Sequence, residues 1–129
     1  MNEPKSRVLD VGNCDPDHAA IRRLLAQFDA DVDRVMHIDE ALAELTERSY
    51  DLVLVNRLIF ADSSDALPLI EQMQADDRLR KIPVMMISNY ATAQQRAVAA
   101  GAQRGFGKSD LRAQQTIEQL APFLSDIRQ

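Results

Sequence analysis

Two continuous apolar runs, LVLV at 52–55 and VMMI at 84–87, limit what this chain can fold into more than any other feature. A strand with one wet face alternates apolar and polar residues. A strand that is apolar throughout needs cover on both faces, as in a parallel sheet lying between two layers of helices. The segments around the two runs supply those layers. Asp15-Pro16 reads as a helix start, with Asp15 as N-cap and Pro16 at the first helical position, followed by Ile21, Leu24, Leu25 and Phe28 at helical spacing. Asp39–Arg48 forms a short helix with Leu42 and Leu45 on one face. Ala66–Ala75 is helical with Pro68 in its first turn, and Thr92–Ala100 is an alanine-rich helix closed by Gly101. Leu111–Arg128 is a last helix, kinked or broken at Pro122.

Weaker strands complete the alternation: Arg7–Gly12, interrupted by Asp10; Val32–Met36, after a polar turn at Asp29–Asp31; and Gly105–Gly107. Five strands alternating with five helices predict right-handed crossovers and a mostly parallel sheet. With no repeat, linker or low-complexity tract, residues 1–129 are expected to form a single domain. In such a sheet, ligands sit beyond the C-terminal ends of the strands. Those ends carry Asn13 and Cys14, Asn56, Ser88 and Lys108.

Composition removes several functions. With 15 basic against 20 acidic residues the net charge is −5, which disfavours binding to bulk nucleic acid. There is no Trp and aromatics make up 5%, too few for base-stacking platforms. No apolar run is long enough to span a membrane, and the N-terminal MNEPKSRVLDVG lacks the layout of a signal peptide. The lone Cys14 can form no internal disulfide, which fits a reducing cytoplasm.

Four segments in this order, VLDVGNCDPDHAAIRRLL, YDLVLVNR, IPVMMISNYA and AAGAQRGFGKSDL, resemble the receiver domains of two-component response regulators over nearly the whole chain. The resemblance implies a flavodoxin-like (CheY-like) doubly wound fold, an α/β sheet of strand order 2-1-3-4-5. It also implies a phosphorylation site: an acidic pair after the first strand holding Mg²⁺, an aspartate ending the third strand as phosphoacceptor, a Ser or Thr ending the fourth, and a Lys ending the fifth. Ser88 and Lys108 match. The acidic-pair positions fall on Asn13 and Cys14, and the acceptor position on Asn56.

These substitutions strike the chemistry itself. Mg²⁺ is a hard cation that prefers carboxylates, and Cys14 would offer it a soft ligand. Asn56 has no carboxylate oxygen to attack a phosphohistidine, and an amide is a poor nucleophile. The family's switch aromatic, three residues before the Lys, is Gly105 here, and the residue after the Lys is Ser109 rather than Pro. The loop NRLIFADSSDA after the acceptor position lacks the family's Pro and Gly and is about two residues longer.

The expectation is therefore a non-enzymatic, degenerate pseudo-receiver, without Mg²⁺ or other cofactor. It would bind a protein partner or a second copy through the face of the fourth helix, fifth strand and fifth helix, drawing on Gln94–Val98, Phe106 and Leu111–Leu120. Two alternatives stand beside it: a phosphorelay receiver phosphorylated through non-standard residues, and a ligand or anion sensor built on Lys108. In the second case the vacated site would carry one net positive charge, unless Asp62, Asp65 or Asp15 folds over and pairs with Lys108. Asp10 lies about 13 Å of strand from Cys14, too far to replace a missing ligand, and reads as a paired or pKa-shifted strand carboxylate. His18 and His37 are expected to be solvated, and two isolated histidines do not make a zinc site.

Overall fold

A computed structural model describes residues 6–124. The chain runs β1 (Ser6–Val11), α1 (Asp15–Leu25), β2 (Ala30–Val35), α2 (Ile38–Glu47), β3 (Leu52–Asn56), α3 (Leu67–Ala75), β4 (Val84–Ile87), α4 (Ala91–Ala99), β5 (Gln103–Phe106) and α5 (Gln114–Leu120). Three short 3-10 turns lie at Leu79–Lys81, Lys108–Asp110 and Ala121–Phe123. All strands pair in parallel, in the order β2-β1-β3-β4-β5.

The apolar runs are covered as expected. In β3, Val53 and Val55 face one core with Ala41, Leu45, Leu69, Ile70, Met73 and Ala97, from α2, α3 and α4. Leu52 and Leu54 face the other, with Ile21, Leu24 and Leu25 of α1, Phe28 just after it, and Ile117 and Leu120 of α5. Each of these β3 side chains is fully buried, so each contributes about 1.5–3 kcal/mol of apolar transfer.

Several boundaries differ from the sequence reading. Cys14 is the N-cap of α1, and Asp15 and Pro16 lie within its first turn. The polar turn expected at Asp29–Asp31 is largely strand: β2 begins at Ala30, which pairs with Ser6 of β1, and further along Arg7 of β1 meets Asp33 at 3.1 Å. β5 starts two residues early, as a half-exposed edge strand whose Gln103 and Arg104 face solvent. The last helix is much shorter than Leu111–Arg128. Leu111 is buried but closes the 3-10 turn, and helical hydrogen bonding runs only from Gln114 to Leu120 before Pro122. Residues 125–128 of that expected helix lie outside the described residues.

Candidate functional site

The C-terminal ends of β1, β3, β4 and β5 open on one side of the sheet, and each sequence-selected residue sits there or at the following turn. Asn56, the last residue of β3, is buried and donates from Nδ2 to the Gly12 carbonyl across to β1, at 3.4 Å. Ser88 follows β4, where its Oγ accepts the Tyr90 backbone N–H at 3.1 Å. Asn56, Ser88 and Lys108 line one cavity of about 370 Å³ with Arg57, Asn89 and Tyr90. Asn13 and Cys14 are not among its lining residues: Asn13 is wholly buried beneath it, and Cys14 is half-buried at the head of α1.

Asp10 governs this deeper part. Its carboxylate is fully buried on β1, accepts from Asn13 Nδ2 at 2.5 Å and meets His18 Nδ1 at 2.6 Å. Burial pushes the Asp10 carboxyl above its ordinary range, against the hydrogen bonds of His18 and Asn13 that favour the charged form. His18 is therefore not solvated as expected. α1 folds back over the end of β1 and places its imidazole on the carboxylate. Asn13 Oδ1 is left buried with no hydrogen-bond partner.

The loop after β3 closes the same part from above. Gly12 turns the chain at φ +76°, and Ile59, itself fully buried, packs directly on it. A Cβ at Gly12 would lie 2.6 Å from Ile59 Cδ1. The Phe60 N–H bonds the Gly12 carbonyl at 2.9 Å. Within the loop, Ile59 N–H meets the Ser64 carbonyl, Asp62 accepts from the Ser64 N–H and Oγ–H, and Asp65 accepts from the Leu67 N–H. The sequence marked this loop as longer than the family's; the signal it held for the seal was the apolar run Leu58-Ile59-Phe60 at its start, of which Ile59 is buried.

Lys108 finds an acidic partner, but not one of those anticipated. Asp62 and Asp65 are engaged inside their own loop, and Asp15 pairs with Arg34. Asp17 of α1 takes Lys108 Nζ at 2.8 Å.

Gly105 marks a second closed position. Any Cβ there would run into the Met86 carbonyl oxygen. The buried Gln94 of α4 fills the surrounding space: Nε2 donates to the carbonyls of Met86 (2.8 Å) and Ser88 (3.2 Å), and Oε1 accepts the Gly105 N–H at 3.0 Å. Of the face expected to meet a partner, Gln94, Phe106, Thr116, Ile117 and Leu120 are buried, and its exposed groups include Gln95, Arg96, Val98, Arg104 and Glu118.

Among the described residues no three His, Cys, Asp or Glu side chains are grouped to hold a metal ion, and no helix is long and apolar enough to cross a membrane. No protein-family model matches the chain, and no curated protein matches it in sequence. Solved structures do. The chemotaxis response regulator CheY4 of Vibrio cholerae superposes with TM-score 0.73 at 16% identity, over 92% of this chain and 98% of its own. The fold is that of a CheY-like receiver. The receiver domain of a histidine kinase from Syntrophus aciditrophicus superposes at TM-score 0.72 and 20% identity, over 91% and 90% of the two chains. That of the sensor kinase PA1611 from Pseudomonas aeruginosa, with magnesium coordinated in its cleft, gives 0.67 at 16%, over 88% and 95%.

Proposed function

We propose that this receiver-fold chain is a non-enzymatic, cytoplasmic signalling module of the two-component type that accepts no phosphoryl group and acts by binding protein. What carries the reading is the end of β3, where the acceptor position holds the Asn56 amide with its N–H turned to the Gly12 carbonyl. An amide so placed offers neither a carboxylate nucleophile nor an anionic metal ligand.

The other groups near it do not fit Mg²⁺ either. Gly12 has no side chain and lies under Ile59, Asn13 brings one neutral oxygen, Cys14 a thiol, and Asp10 is occupied by His18 and Asn13. Gln94 at Gly105 supports the same reading, since it fills the space a switch aromatic would need. An input that bypasses phosphorylation would then be read on a fixed surface, with Val98 and Arg104 exposed toward a partner.

Intact-mass spectrometry after incubation with acetyl phosphate and Mg²⁺ tests the proposal. Wild type should gain no phosphoryl group, and Asn56→Asp should gain little, because the metal ligands are still missing. Stoichiometric phosphorylation of wild type would overturn it.

A further inference from the structure

Beside the cavity under Lys108 lies a second one of about 260 Å³, between the loop after β3 and the start of α4. Arg57, Asp65, Tyr90, Thr92 and Arg96 line it. Arg57 is half-buried and rests over the Tyr90 ring, 4.9 Å from its centroid. Neither Arg57 nor Arg96 is ion-paired with a carboxylate among the described residues; Arg22, Arg23, Arg78, Arg104 and Arg112 are unpaired too, but all of these, like Arg96, are exposed, whereas Arg57 is not. A half-buried guanidinium without a counter-charge is costly to keep and calls for an anion. Asp65 does not fill that role: it makes no ion pair, and its Oδ1 accepts the Leu67 N–H.

We infer that this cavity binds a phosphate monoester, with the phosphate held between Arg57 and Arg96. Two guanidiniums suit a dianion, since each presents a fork of donors matched to phosphate oxygens. Thr92 adds a hydroxyl on the same wall. The organic part of the ester has a place as well. The two cavities share Arg57 and Tyr90, and past Tyr90 the cavity under Lys108 is walled by Leu58 and Ile87. Leu58 and Tyr90 are exposed apolar surface, at 36% and 61%. The site does not depend on Lys108, whose charge is held by Asp17.

Titration of the ¹⁵N-labelled protein with phenyl phosphate and with inorganic phosphate, at constant ionic strength, tests this. Phenyl phosphate should give saturable shifts at the Thr92 and Ala93 amides and bind several-fold tighter than inorganic phosphate. Arg96→Gln, on the exposed side of α4, should weaken it about tenfold, the loss of one charge-assisted contact. Arg57→Gln should do the same, and Lys108→Gln should change nothing. Non-saturating shifts, or equal affinity in wild type and Arg96→Gln, would overturn the site. Equal binding of the two probes would overturn the monoester assignment. Shifts lost only in Lys108→Gln would move the anion to the other cavity and likewise refute it.

Discussion

The two halves of the crevice are filled differently. At the β1 end, hydrocarbon and internal pairs fill the space: Ile59 covers Gly12, His18 and Asn13 hold Asp10, and Asp17 holds Lys108. At the β3–β4 end, Arg57 and Arg96 stand without an ion-pair partner around an open cavity that Asp65 also lines. Side chains that reach one another close the first half into a paired seal, and the two guanidiniums of the second find no carboxylate to pair with.

The seal should break most visibly at Gly12. Gly12→Ala places a Cβ against Ile59 at a positive φ, so strain and overpacking together should cost about 3 kcal/mol. Urea unfolding measures it, and a loss under about 1 kcal/mol would mean the β1 end is loosely packed.

The buried carboxylate comes next. His18→Ala removes one of the two side chains bonded to Asp10 and should destabilise by about 2 kcal/mol. The pH dependence has a definite sign. With its folded pKa raised above the ordinary 3.8, Asp10 contributes stability that is present below that value and lost as pH rises through the folded pKa. Asp10→Asn should remove this loss. The stability difference, wild type minus variant, should therefore fall as pH climbs from about 4, and a difference flat across pH would contradict the raised pKa.

The smallest effect belongs to Asp17→Asn. The Lys108 pair is 40% and 25% exposed, so screening should hold the loss to about 0.5 kcal/mol in thermal or urea melts. Freeing Lys108 should nonetheless make the cavity it lines with Asn56 and Ser88 attract anions, visible as new phosphate-induced shifts near Ser88. Their absence would show that the seal does not depend on charge pairing.

The sheet was legible because LVLV and VMMI admit few other placements. The last helix was not, because apolar periodicity reports burial: Leu111 is as buried as a helical residue should be, yet it only caps a 3-10 turn. The residues at the strand ends were legible as a set, their partners less so. Asp62 and Asp65 were expected as partners of Lys108, but short side chains satisfy adjacent backbone first, and both do. Asp17 and His18 reach the site only because α1 doubles back on β1, a relation that residue spacing along the chain does not encode.

Gln94 carries one more consequence, for the order in which the molecule opens. The β4–β5 pairing is irregular between Met85 and Ile87, and there the Gln94 amide supplies the link that the ladder lacks. The Gly105 amide can then exchange with deuterium only when α4 lifts from the sheet. Its protection should track that of the α4 backbone rather than that of its own edge strand, making helix and strand a single cooperative unit of local unfolding.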